Sequence, residues 1–182
     1  MGAVTTLPRG RALTRDDLES MPDDGHRYEL IDGILVVTPA PSFRHQRVSF
    51  RLGVLLDAAC PEDLTVLAAP FDVVLAEDTI VQPDLLVARR TDFTERDLPV
   101  PPLLAIEVLS PSTRRVDLTL KLSRYETAAC PSFWAIDPDT PAVTVYNLRD
   151  GTYVEAAHVE GDEELTVSTP FDVTFTAIGL LA

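Results

Sequence analysis

The spacing of apolar residues changes several times along the chain, and each change marks an element. Val48, Leu52, Leu55, Leu56 and Ala59 recur at helical spacing, which predicts an amphipathic helix over 42–59 capped by Ser42. A short helix is predicted from Arg15 to about Met21, N-capped by Thr14, with Asp16 and Asp17 in its first turn. Between the two, Tyr28-Glu29-Leu30-Ile31 and Ile34-Leu35-Val36-Val37 flank Asp32-Gly33, the signature of a tight hairpin. Leu64 to Leu67, Asp72 to Leu75 and a continuous run from Ile80 to Ala88 read as strands. Leu103 to Leu109 is apolar on both faces, as expected of a central strand covered on both sides. Ser110-Pro111-Ser112-Thr113 then opens a helix of roughly 16 residues with an apolar stripe of Leu118, Leu122, Tyr125 and Ala129. Cys130-Pro131 ends it, and Phe133 to Ile136 is the next strand, so strand, helix and strand form a parallel, right-handed crossover unit. Val143 to Tyr146 and Tyr153 to Ala157 predict a second hairpin, and Val173 to Phe175 a last strand. The order implies an α/β fold, with an N-terminal arm over 1–13 and a single domain over 14–182.

Composition narrows this picture. The 182 residues suit one core, and 46% hydrophobic with 24% charged residues is ordinary for a globular domain. No apolar run reaches the roughly 18 residues of a membrane span, and Met1 to Leu13 lacks the apolar centre of a signal peptide, so a cytoplasmic protein without membrane contact is expected. Cys60 and Cys130 each precede a proline with no Cys-x-x-Cys spacing, which fits small buried residues at helix exits. Fifteen Lys and Arg stand against 29 Asp and Glu, a net charge of −14. That balance opposes tight non-specific binding to a polyphosphate backbone, which depends on basic surface. Local basic groups remain at Arg44, Arg47 and Arg51, and at Arg114, Arg115, Lys121 and Arg124.

Glu107 is the anomaly, a carboxylate inside the most apolar strand. Burial of an ionised carboxylate is costly unless something compensates it. A structural ion pair, a polar cleft at the strand end, and a metal or catalytic role all meet that need. Asp84 is a second carboxylate, set between Pro83 and Leu85-Leu86-Val87. Two carboxylates on adjacent strands repel, and a divalent cation holds both ionised. Strand alternation puts Glu107 on the face of Ala105 and Leu109, and Asp84 on that of Leu86 and Ala88; a hard-metal site results if the faces coincide. Lys121 lies four residues after Asp117 and four before Tyr125, so the three share one helix side. Lys121 is either half of a solvated pair with Asp117 or a point charge reaching back over the carboxylates. His45 is a helix-start residue at the core edge or a site member, and Glu29 either faces solvent or joins the site. Ser110, Ser112 and Thr113 serve mainly to cap the helix.

Pro83-Asp84, Glu107 in an apolar strand and Lys121 together resemble the core of the PD-(D/E)XK nucleases. The longer string Tyr28-Glu29-Leu30-Ile31-Asp32-Gly33, Pro83-Asp84, Glu107-Val108-Leu109-Ser110-Pro111-Ser112-Thr113, Asp117, Lys121, Tyr125 and Phe133-Trp134-Ala135-Ile136-Asp137-Pro138 resembles the bacterial Uma-type restriction endonuclease family. The resemblance spans about Leu13 to about Val154 and implies a restriction-endonuclease-like mixed β-sheet flanked by helices, with additional hairpins. It implies Mg²⁺- or Mn²⁺-dependent hydrolysis of DNA phosphodiester bonds by a homodimer. By position, Asp84 and Glu107 would be the metal ligands and Lys121 the relocated lysine. His45 and Glu29, with Asp117 and Tyr125, would be further site members. The ordinary motif places lysine two residues after the glutamate, where this chain has Leu109, so Lys121 substitutes only if its helix packs over Glu107. Two rival readings stay open: a non-catalytic dimeric binding or regulatory module, and a hydrolase or binder of small phosphorylated molecules.

Overall fold

The computed structural model describes residues 10–182. The first nine residues of the expected arm lie outside that range. The chain begins with α1 (Arg15–Glu19), then β1 (Arg27–Ile31), β2 (Ile34–Thr38) and the long helix α2 (Phe43–Ala59). Next come β3 (Leu64–Ala68), β4 (Asp72–Ala76), β5 (Thr79–Val81), β6 (Leu85–Arg89), β7 (Asp97–Leu98) and β8 (Leu104–Val108). The second half has α3 (Arg114–Val116), a π turn (Asp117–Lys121), α4 (Leu122–Thr127) and β9 (Ser132–Asp137). It closes with β10 (Ala142–Arg149), β11 (Thr152–Glu160), β12 (Glu164–Val167) and β13 (Val173–Thr176).

A six-stranded mixed sheet, order β11-β10-β9-β8-β6-β3, forms the centre, with β8 and β9 parallel as the crossover required. A second sheet has order β2-β1-β5-β4-β7, and β12 pairs with β13. One face of the central sheet presents Leu85, Val87, Leu104, Ile106 and Trp134 to Val48, Leu52 and Leu56 of α2 and to Phe175 of β13. The opposite face presents Leu86, Ala105, Leu109 and Phe133 to Tyr125 of α4 and to Ile31, Val73 and Val81 of the second sheet. Both hairpin turns follow their Asp-Gly pairs: Asp32 and Gly33 have φ of 53° and 70°, and Asp150 and Gly151 have 52° and 82°. Positive φ at both central residues gives the turn twist that matches paired strands.

Two sequence expectations need correction. Ile80 to Ala88 is not one strand, because the chain leaves β5 in one sheet and enters β6 in the other through Gln82-Pro83-Asp84. Pro83 has no amide to donate to a ladder, which suits it to the break. The helix after β8 runs without a break from Arg114 to Thr127 but is not α throughout: its middle is the π turn, whose wider coil carries Asp117 and Lys121 buried on one side. A stripe of apolar residues reads the same through α and π turns, so periodicity does not reveal the change.

Leu104 sits fully buried in the middle of this packing. Leu104→Ala is expected to lower the unfolding free energy by about 2–5 kcal/mol through lost burial and an unfilled cavity, read as a reduced urea midpoint at unchanged slope.

Candidate active site

Adjacent β6 and β8 pair Leu85 with Ile106 and Leu86 with Ala105. Carried one step further, the register sets Asp84 opposite Glu107, so the two carboxylates do share one face, the face under the π turn. Asp84 Oδ2 accepts from the Val108 amide at 2.8 Å and lies 3.0 Å from His45 Nε2. Asp84 Oδ1 accepts from both terminal nitrogens of Arg27, at 3.0 and 3.1 Å. Ser42 caps α2 by accepting from the His45 amide, which fixes His45 in the first turn, where the helix meets the strand end.

Lys121 reaches back from the π turn to the same place. Its Nζ lies 2.8 Å from Glu29 Oε1, 3.1 Å from Glu107 Oε1 and 3.8 Å from Asp117 Oδ1. Lys121, Glu29 and Glu107 are each 3% exposed or less, so this is a dry ion cluster and not a surface pair. Glu29 is held from its other side, accepting from the Gln82 amide at 2.7 Å through the same Oε1. Asp84, Glu107, Asp117, Lys121 and His45 line a cavity of about 220 Å³, rimmed by Ser110, Ser112 and Thr113. Ser110 Oγ lies 3.0 Å from the Ser112 hydroxyl and 2.9 Å from that of Thr113.

Electrostatics follow from this crowding. Burial pushes the Glu107 carboxyl well above its usual range, with Asp117, Asp84 and Glu29 adding to the push and Lys121 opposing it. Burial likewise raises Asp117, to about 6. Burial would lower the Lys121 ammonium, but Glu107, Glu29 and Asp117 outweigh it and hold the proton on. For Asp84 burial is also the largest influence, yet His45, Arg27 and the Val108 amide overcome it and keep the carboxyl below its ordinary value. Two buried polar atoms here lack partners, His45 Nδ1 and the Tyr125 hydroxyl.

The residues suit a hard divalent ion in donor type and charge. Four carboxyl groups, Glu29, Asp84, Glu107 and Asp117, lie beside two cations, Arg27 and Lys121, and supply the oxygen donors such an ion prefers. In the arrangement described, both Asp84 oxygens already accept from protein donors. Among the described residues no three His, Cys, Asp or Glu side chains converge in ligating geometry. An ion joining Asp84 would therefore have to displace one of its partners.

A family model described as "Putative restriction endonuclease", Uma2, matches residues 15–179. The chain belongs to the Uma2 family. Among solved structures, a crystal structure titled as a putative nuclease belonging to DUF820 from Anabaena variabilis ATCC 29413 superposes with a TM-score of 0.75 at 18% identity, over 93% of this chain and 97% of the other. The Uma2 chain thus has the fold of that protein, a mixed α+β architecture. No curated protein matches it.

In this Uma2 chain the tertiary structure brings together Asp84, Glu107, Lys121, Glu29, His45 and Asp117. Glu29 does not face solvent, and Asp117 with Lys121 is no solvated pair, because β1 and the π turn close over both. Tyr125 is buried one turn beyond, on the same side. Of the basic groups, Arg47 and Arg51 bond the carbonyls of Ala182 and Gly179, Arg114 pairs with Asp137 and Arg124 with Asp32. Arg27 was missed; an arginine opening a hairpin strand carries no signal until its partner is known. No helix of the described residues is long and apolar enough to cross a membrane.

Asp117 supplies a pH signature. Its folded-state value, about 6, lies above the ordinary 3.8, so its contribution to stability is complete below about pH 4 and is lost as pH rises through 6. The loss is on the order of 3 kcal/mol by pH 8. Asp117→Asn is expected to flatten the stability profile between pH 4 and 8, measured by urea unfolding at stepped pH.

Proposed function

We propose that this protein is a divalent-metal-dependent endonuclease that hydrolyses DNA phosphodiester bonds in the cavity over Glu107. The observation that carries the reading is Lys121 Nζ, 3.1 Å from Glu107 Oε1 although the lysine lies 14 residues along the chain. It supplies the positive charge that Leu109 lacks. The family assignment and the cluster of carboxyl groups support the same reading.

Asp84 and Glu107 would hold Mg²⁺ or Mn²⁺, and such an ion would supply polarisation of the scissile phosphate and a lowered pKa for an attacking water. Lys121, fixed by Glu29 and Glu107, places a permanent charge beside the phosphate oxygens, where negative charge grows in the transition state. Arg27, partly open to the cavity, presents guanidinium hydrogens to a non-bridging oxygen. His45 orients Asp84 through Nε2, and its Nδ1 has no protein partner.

The filled acceptor positions of Asp84 favour a second reading, a nuclease-fold binding module without turnover. Titration calorimetry separates the two. Mn²⁺ is expected to bind wild type, more tightly at pH 7 than at pH 5 because Glu107 and Asp117 must shed protons. Glu107→Gln should lose that binding and at least about 100-fold of Mn²⁺-dependent plasmid cleavage. Absence of binding in both proteins would leave the module reading.

A homodimer belongs to the proposal, supported by exposed Phe43 and Phe50. Sedimentation equilibrium at micromolar concentration is expected to give twice the 19.9 kDa chain mass, and a monomer alone would reject it.

A further inference from the structure

Three groups hold the Asp84 carboxylate, and they differ in how firmly each is itself held. The Val108 amide, 2.8 Å from Oδ2, belongs to the backbone of β8, which is paired on both sides within the central sheet. His45 Nε2, 3.0 Å from the same oxygen, sits in the first turn of α2, a helix anchored by buried Val48, Leu52 and Leu56. Arg27 holds the other oxygen. Its two terminal nitrogens converge on Oδ1 alone, at 3.0 and 3.1 Å, and do not fork across both carboxylate oxygens, the arrangement that makes such pairs strong.

Free space also sets Arg27 apart. It lines the cavity over Glu107 and, on its other side, a larger groove of about 500 Å³ walled by Pro70, Gln82 and the acidic residues Asp23 and Asp72. Its side chain keeps 19% exposure, against 10% for His45 and 4% for Asp84. The remaining hydrogen bond of its guanidinium, to the Gln82 carbonyl, measures 3.1 Å. Side-chain rotation alone therefore takes the guanidinium off Asp84, while the Arg27 backbone stays in β1 opposite Thr38.

A divalent cation on Asp84 and a guanidinium on the same carboxylate repel, strongly so where water is scarce. We infer that Arg27 is an exchangeable counter-ion: it neutralises Asp84 until a divalent ion binds, then yields that carboxylate and offers its N–H groups to the substrate phosphate. That role rests on the nuclease reading and adds an order of events to it. Arg27 serves one anion at a time, so metal loading comes before the guanidinium engages phosphate. By linkage, the grip of Arg27 on Asp84 weakens metal binding by the same factor as the metal weakens the grip.

Titration calorimetry at pH 7 compares Mn²⁺ binding by wild type and by Arg27→Gln. Removing a charged, hydrogen-bonded competitor is expected to tighten binding about tenfold. Loss of a positive charge favours a cation even without contact, so a second readout follows wild-type Arg27 directly, through nitrogen-15 spectra of the arginine side chains assigned by correlation to the backbone. Held on Asp84, its two terminal nitrogens are expected to give separate signals, which saturating Mg²⁺ merges as rotation about the Nε–Cζ bond resumes. Equal or weaker Mn²⁺ binding by the variant, signals already merged without metal, or signals still separate in saturating Mg²⁺ would overturn the exchange. The wild-type spectrum decides the matter if Arg27→Gln does not fold. Plasmid cleavage in Mn²⁺ keeps the two readings apart. Cleavage by a wild type whose Arg27 stays on Asp84 sinks only the exchange, release of Arg27 without cleavage sinks only the nuclease, and no metal binding by wild type and variant alike removes both.

Discussion

The buried ammonium of Lys121, between Glu29 and Glu107, is the constraint on which the rest of the site depends. Removing a lysine and two glutamates from water costs several kcal/mol per ion, and their attraction offsets this only with close geometry. That geometry draws on three distant segments. The first hairpin carries Glu29, the central strand carries Glu107, and the π turn delivers Lys121 from above. Each element is pinned separately by apolar contacts, so the charges meet because the core leaves them no other position. The same crowding leaves Glu107 and Asp117 with raised proton affinity.

The break at Gln82-Pro83-Asp84 does for Asp84 what the π turn does for Lys121. A continuous strand would keep Asp84 inside one ladder, whereas the crossing between sheets sets it at a strand entrance, within reach of Arg27, His45 and the Val108 amide. It also lays Gln82 between the carboxylate cluster and the neighbouring groove. Two departures from regular structure therefore place the polar groups, and the regular elements around them supply rigidity.

With 15 Lys and Arg against 29 Asp and Glu, the chain lacks the charge balance of basic DNA-binding proteins. Several arginines that looked available are tied to backbone carbonyls or to carboxylates, so they neutralise the protein itself. The guanidinium that opens onto the cavity, Arg27, is the one that no sequence signal marked.

What the sequence determined by itself is what local chemistry controls. Alternating and helical spacing set the strands and α2, Asp-Gly pairs set both hairpin turns, and a glutamate in an apolar strand announced a compensated charge at Glu107. A second carboxylate beside an apolar strand added Asp84, helical spacing added Lys121, and the family resemblance implied their roles. Tertiary structure decided which alternative held for each: that Lys121 lies over Glu107, that Glu29 is inside, that Asp84 already has His45 and Arg27. These outcomes turn on pairings between residues 14 to 92 positions apart, whose energies exist only once burial lowers the local dielectric and removes water as a competitor. The strand break and the π turn were hidden for the related reason that apolar content stays the same on either side of them, and only the packing of two sheets and one helix makes the irregular path the favourable one.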